Sequence, residues 1–161
     1  MDYFKARTDD LEDVVMMAGM LWTDHDPEEC RQHFSDILNR QNCPVFLCQV
    51  NGKTVGFCEF SIRHEYVEGT KARPVTYLEG VYVSEEYRLS GIGSGFIALG
   101  EQWATSMGCA QMASDCEIDN TGSLAFHLGC GFTEANRIIC FVKTINCNRQ
   151  TDSGVTHAHH D

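Results

Sequence analysis

The chain has 161 residues, 43% of them hydrophobic, and a formal net charge of −11. That size and apolar share suit one core-bearing domain, residues 1–145, and the charge excludes a large basic face for nucleic acid. No apolar run approaches the roughly 20 residues that span a bilayer, and Met1-Asp2-Tyr3-Phe4-Lys5 lacks the layout of a secretory signal, so no membrane contact and a cytoplasmic location are expected.

Residues 2–7 read as a short strand. Asp9 and Asp10 then lead into Leu11, Val14, Val15, Ala18, Leu21 and Trp22, spaced as one face of a helix. Acids in a first turn complement the helix dipole. Trp22-Thr23-Asp24-His25 breaks the pattern. Asp26-Pro27-Glu28-Glu29 restarts a helix with an N-cap acid, a proline at the first helical position and a glutamate at the third. Cys30, Phe34, Ile37 and Leu38 give it an apolar face. Val45 to Val50 reads as a strand, and Lys53 to Ile62 as its partner. Asn51-Gly52 between them is a hairpin turn, because both positions tolerate positive φ.

A polar stretch, Arg63 to Arg73, precedes a strand at 76–83. The run Tyr87-Arg88-Leu89-Ser90-Gly91-Ile92-Gly93-Ser94-Gly95 follows. It opens a helical pattern through Ile92, Phe96, Leu99, Trp103 and Met107 that stops at Gly108. A strand, a glycine-rich bend and a helix N-terminus make an anion site: backbone N–H groups can approach a phosphate, and the dipole favours negative charge. Arg88 adds a donor that keeps its proton. Gln111 to Cys116 reads as a strand, Asp119 to Leu128 as a short helix ending at Gly129, and Phe132 to Ile145 as one or two last strands. Residues 146–161 form a polar, aperiodic tail, and its His157-Ala158-His159-His160 is read as passive. The order β-α-α-β-β-β-α-β-α-β predicts an α/β fold. Its sheet is mixed and mostly antiparallel, with flanking helices, since the hairpin forces an antiparallel pair.

The nine cysteines form no C-x-x-C pair and match no zinc template, so no metal site is expected. Cys48, Cys58 and Cys140 lie in apolar runs and read as packed thiols. Gly93-Ser94-Gly95-Phe96-Ile97-Ala98 does match the dinucleotide fingerprint, with Asp115 about 20 residues on. That fingerprint begins at the end of its strand, whereas Ser84 to Ile92 intervene here. A Walker loop fails, because no glycine-lysine-serine/threonine follows.

Arg88-Leu89-Ser90-Gly91-Ile92-Gly93 reads R-x-x-G-x-G, and Asn120-Thr121-Gly122-Ser123-Leu124-Ala125-Phe126-His127 precedes Gly131-Phe132. This pairing resembles the Gcn5-related N-acetyltransferase (GNAT) family over residues 2–145. The resemblance implies the acyl-CoA N-acyltransferase fold, with acetyl-CoA as cosubstrate. Its pyrophosphate would lie on the backbone of Leu89, Ser90, Gly91, Ile92, Gly93 and Ser94 beside Arg88. Its pantetheine arm would pair with Val81, Tyr82 and Val83 as an added strand, and Asn120 would meet the arm from the second helix. Gly80 reads as a bulge that splays the sheet and opens a cleft.

A second set of segments is more specific: Trp22-Thr23-Asp24-His25, Ser61 to Thr70, Leu78 to Val83, and Ala113-Ser114-Asp115. Together they resemble the aminoglycoside 6′-N-acetyltransferases of the Acinetobacter-type subgroup. That resemblance implies an aminoglycoside antibiotic as acceptor and a homodimer. A polycation needs carboxylates and aromatic faces. Glu79, an acid in an apolar strand, and Asp115 are candidates both for binding and for general-base catalysis. Trp22, His25, Tyr66 and Asn136 complete the substrate set, although Trp22 also fits plain packing. The relatives carry an acid at the position of Asn136, and Glu134, on the same strand parity, could replace it. His127 stands where the wider superfamily often has an acid tyrosine, and reads either as a general acid or as an inert helix residue. Direct attack in a ternary complex is expected, since no cysteine lies by the glycine loop with a histidine partner. A polyamine or protein amine as acceptor, or a coenzyme A sensor without catalysis, are the competing readings.

Overall fold

The computed structural model describes residues 1–145. Its elements run β1 (Asp2–Lys5), α1 (Leu11–Leu21), α2 (Pro27–Ile37), β2 (Val45–Val50), β3 (Lys53–Arg63), β4 (Val75–Val83), α3 (Ile92–Ser106), β5 (Met112–Ala113) and α4 (Thr121–Gly129). Single turns of 3-10 helix precede α1 and α3. The sheet has the order β1-β2-β3-β4-β5. Its first three pairings are antiparallel and the β4–β5 pairing is parallel.

Alternation along the strands divides the core into two layers. Leu47 and Phe57 face α1 and α2, where they pack with Val14, Ala18 and Phe34. Cys48, Cys58 and Phe60 face the other way, onto Ile92, Phe96 and Ile97 of α3. The fully buried phenylalanines, Phe34, Phe57, Phe60 and Phe96, each contribute about 1.5–3 kcal/mol by leaving water. The local signals act as expected. The Asp26 carboxylate accepts from the N–H groups of Glu28 at 2.9 Å and Glu29 at 3.1 Å, with Pro27 opening α2. Asn51 and Gly52 take φ of 52° and 79° in the hairpin.

Two expectations change. The strand expected over Gln111 to Cys116 pairs only through Met112 and Ala113, because β5 diverges from β4 after Tyr77. The last strands expected over Phe132 to Ile145 do not form among the described residues: 133–145 is neither helix nor strand and is exposed throughout. Its apolar sequence satisfies one face of a sheet, but no strand of the described chain pairs with it. The tail at 146–161 lies outside the described residues.

Candidate active site

The divergence of β4 and β5 builds the site. β4 pairs with β3 along its whole length, but with β5 only at Thr76 and Tyr77. Beyond that point the edge of β4 facing β5 carries no strand as far as Val83 among the described residues, so that edge is open at Val81 and at the Val83 N–H to an amide-bearing arm. The register between β3 and β4 slips at Glu59/Phe60, where Glu59 faces Gly80 and Phe60 faces Leu78. Glu79 is thus the extra residue of a bulge, which turns Glu79 and Gly80 towards the same helical layer. Gly80 is needed there for space: a Cβ would stand 2.6 Å from the Trp22 ring.

β4 leads through the Glu85–Tyr87 turn into the anion loop. Gly91 caps α3 with φ of 88°, a left-handed conformation that favours glycine. Behind it the N–H groups of Ile92, Gly93 and Ser94 open the helix without carbonyls of a preceding turn to bond. Leu89 takes φ of 60° and is fully exposed. The Ser90 hydroxyl folds back onto Tyr87 O. Arg88 Nε donates to Val83 O at 3.0 Å, holding the guanidinium between the strand end and the loop and 5.7 Å from the Tyr82 ring. A free strand edge running into a helix N-terminus fits a pantetheine arm ending in a diphosphate.

The acidic residues are tethered by neighbours. Glu79 accepts from the Ser61 hydroxyl and from Arg63 Nη2, at 3.0 Å to both oxygens. The Arg63 guanidinium also lies 3.3 Å from the centre of the Tyr77 ring. The Tyr77 hydroxyl donates to Asp115. Burial, and next that hydrogen bond, push the Tyr77 phenol well above its ordinary range, so it stays a donor. Glu79, Arg63, Tyr77 and Asp115 thereby form one connected group.

His127 is brought to the mouth of the split. Its Nδ1 lies 2.7 Å from Ser123 O, which can only accept, so Nδ1 carries a hydrogen. Nε2 lies 2.9 Å from Ser114 Oγ, which is itself 3.2 Å from Leu78 O. Asn120 spends its side-chain oxygen on capping α4, accepting from Ser123 N at 3.0 Å. Only its amide nitrogen is left for an arm.

The remaining candidates fall into two groups. Trp22 packs into the core against Phe34 and Phe57, touches Gly80 and stacks on exposed His25, with centroids 5.9 Å apart. Trp22 is thus a packing residue whose ring also reaches exposed His25. Tyr66 and Asn136 meet at Glu68, which accepts from Tyr66 Oη at 2.7 Å and from Asn136 Nδ2 at 3.2 Å. The strand parity expected to set Glu134 beside Asn136 is absent, since 133–145 forms no strand, and Glu134 accepts from Arg137 Nε at 2.6 Å. Ser61, Arg63, Glu68, Tyr77 and Ser114 were not among the expected site residues. For Ser61 and Arg63 a signal existed, since they alternate on the strand opposite Glu79. For Ser114 none did.

No group of three or more histidine, cysteine or acidic side chains that could hold a metal occurs among the described residues. Burial raises the thiols of Cys30, Cys43, Cys48, Cys58 and Cys130, which makes them poor nucleophiles. An open groove of about 930 Å³ lies apart from Glu79 and Asp115, between α1 and the end of β4, lined by Asp13, Met16, Met20, Lys53, Tyr82 and Glu85.

Known proteins share this sequence family and fold. The model of the acetyltransferase (GNAT) family matches residues 11–132. The aminoglycoside N(6′)-acetyltransferase type 1 of Stenotrophomonas maltophilia is 40% identical over 124 residues, covering 75% of this chain and 78% of that one. Its Acinetobacter baumannii counterpart is 36% identical over 135 residues, covering 84% and 92%. Among solved structures, AAC(6′)-Iy in complex with the bisubstrate analogue CoA-S-monomethyl-acetylneamine superposes with a TM-score of 0.86 at 33% identity, covering 89% of this chain and 98% of that one. The apo aminoglycoside 6′-N-acetyltransferase AAC(6′)-IG of Acinetobacter haemolyticus gives a TM-score of 0.86 at 32% identity, covering 91% and 100%. With a split sheet, an anion loop and relatives over most of its length, the chain belongs to the GNAT acetyltransferase family, beside the aminoglycoside N(6′)-acetyltransferases.

Proposed function

We propose that residues 1–145 are one acetyltransferase domain that moves the acetyl group of acetyl-CoA to the 6′-amine of aminoglycoside antibiotics, and so confers resistance. The observation that carries this reading is the bulge at Glu79, which sets a carboxylate group beside the point where β4 loses its β5 partner. Bound along that edge, acetyl-CoA supplies an activated acetyl group. Val81, Tyr82 and Val83 hold the arm, Arg88 and the N–H groups from Leu89 to Ser94 hold the diphosphate, and Asn120 meets the arm through its amide nitrogen.

The acceptor reaches the site as an ammonium, which is not nucleophilic. Glu79 or Asp115, through water, takes its proton, and the neutral amine then attacks directly. A backbone N–H near Val81 stabilises the developing oxyanion, an effect worth about 3 kcal/mol for one donor. As the C–S bond breaks, the second amine proton leaves nitrogen and the departing sulfur takes one; His127, with Ser114 Oγ at its Nε2, stands as the candidate to relay it. Trp22 and His25 offer stacked rings to a sugar face, and Tyr66, Glu68 and Asn136 form a polar rim. The reading extends to a homodimer in the cytoplasm. Eight free thiols among the described residues suit a reducing compartment.

Release of free coenzyme A thiol tests the proposal. Tobramycin and kanamycin are expected to give kcat/KM at least about 100-fold above spermidine or a lysine peptide. Glu79→Gln and Asp115→Asn are each expected to cut kcat/KM for kanamycin by about 10² to 10⁴. Equal turnover of spermidine would move the acceptor to polyamines. Acetyl-CoA binding without thiol release beside any amine would leave only a sensor.

A further inference from the structure

The loop between β3 and β4 is a hook held at both ends. At its near end Val67 is buried against Val75, Tyr77 and Ala113. Thr70 closes a turn behind it, with its N–H 3.2 Å and its hydroxyl 2.8 Å from Val67 O. Val67 turns inward, so its neighbours Tyr66 and Glu68 stand exposed, and the Tyr66 hydroxyl donates to Glu68. One side chain fixes the far end. Gln111 Oε1 accepts from Lys71 N at 2.7 Å and from Ala72 N at 2.8 Å. Two consecutive N–H groups on one oxygen fix the direction of a backbone as well as its place. The backbone oxygen of Gln111 accepts from Thr76 N at 3.1 Å. Gln111 thereby ties the hook to β4 and to the stretch that runs on into Ser114 and Asp115.

Charge singles out what the hook carries. The donors to Glu68 are a phenol and a carboxamide, Tyr66 Oη and Asn136 Nδ2, and both are neutral. Glu12, Glu79, Glu86 and Glu134 each face a guanidinium or an ammonium of the protein instead. The charge of Glu68 is therefore left for a cation from solution, beside the exposed face of the Tyr66 ring. An exposed ion pair adds little when its partners must first be ordered. Glu68 is ordered beforehand by its two donors and by a loop pinned at both ends, so less is lost when a ligand arrives.

We propose that Gln111 is a positioning residue, and that the hook it pins presents Glu68 and Tyr66 to a further ammonium-bearing ring of the acceptor, so that Gln111 and Glu68 set a preference for long acceptors over short ones. This rests on the aminoglycoside reading and names an outer contact for it. Gln111→Met keeps the length of the side chain and removes the accepting oxygen. It is expected to speed hydrogen exchange at the Lys71 and Ala72 amides. It is also expected to raise KM for three-ring tobramycin about 5- to 10-fold, KM for two-ring neamine by less, and KM for acetyl-CoA not at all. Gln111→Glu, whose carboxylate can accept from the same two N–H groups, is expected to restore both the protection and the KM. Glu68→Gln keeps an acceptor for Tyr66 but drops the charge. It is expected to raise KM for tobramycin to a similar extent with the two amides still protected, and it decides the matter if Gln111→Met does not fold. Equal shifts for tobramycin and neamine, faster exchange with unchanged KM, or no rescue by Gln111→Glu would overturn the positioning role. Wild-type KM in Glu68→Gln would overturn the outer contact. A wild-type chain inert towards both antibiotics would remove the aminoglycoside reading itself, whereas failures confined to the variants strike this inference alone.

Discussion

Glu79 shares its carboxylate between the Ser61 hydroxyl and the Arg63 guanidinium, so under the proposed function an ammonium would compete with a cation that the protein itself supplies. Arg63 is in turn held against the Tyr77 ring, and Tyr77 against Asp115, which spreads the positive charge over an aromatic face and two acids. A third acid, Glu59, is buried one residue pair from the bulge and bonds His33 Nε2 at 2.9 Å. The hydrogen bond to Glu59 is the main cause raising the His33 pKa, against a smaller opposing effect of burial. The linkage follows in sign. A histidine whose pKa is raised on folding stabilises the folded state fully below its unfolded value of about 6.5, and loses that contribution as pH rises through the folded value. His33→Gln keeps a hydrogen-bond donor but removes the titrating charge. The melting temperature of this variant is expected to fall furthest below wild type near pH 5.5 to 6 and to approach it by about pH 9. The shortfall should be small, because half of the His33 side chain is exposed and screened. A gap that widens with rising pH, measured by thermal unfolding across this range, would remove the His33–Glu59 pair from the account.

At the scale of elements, the bulge in β4 and the end of α1 are one construction. Gly80→Ala would put a Cβ 2.6 Å from Trp22 and 2.9 Å from Leu21, so the end of α1 must move off the sheet. Overpacking of this kind typically costs about 1–3 kcal/mol. The variant is expected to melt several degrees lower by tryptophan fluorescence, and to raise KM for the acceptor more than KM for acetyl-CoA. A rise confined to acetyl-CoA would detach Trp22 from the acceptor side. The elements themselves were largely legible because their signals are local. Asp26-Pro27 starts a helix, Asn51-Gly52 turns a hairpin, and the Gly91 bend opens α3, each within a few residues. What was illegible depends on partners far along the chain. Arg63 meets Glu79 across two strands, and Ser114 meets His127 between a loop and a helix. Composition predicts an acid in the cleft, but not the cation already on it. For the same reason residues 132–145 read as strand: apolar composition describes what a strand would bury, and says nothing of whether an edge lies within reach.

For the whole molecule, the net charge of −11 acts on two substrates of opposite sign. An aminoglycoside is a polycation and is drawn towards an acidic body, and the proposed site would receive it at Glu79 and Asp115. Acetyl-CoA is a polyanion and must approach against the overall field; in the proposed site Arg88 and the N-terminus of α3 would draw it in. Salt screens exposed charges over about 10 Å at 0.1 M. Raising sodium chloride from about 0.02 to 0.3 M is therefore expected to lower kcat/KM for tobramycin by about 10-fold or more, in line with steered encounters. The slope should be steeper for acceptors with more amines. Measured in the same series, kcat/KM for acetyl-CoA should hold level or rise, because the repulsion it meets is screened as well. Parallel losses for both substrates would mean that salt acts on the fold and not on encounter. Circular dichroism at each salt concentration separates those cases, since a change in encounter leaves the helix content as it was while a change in the fold does not.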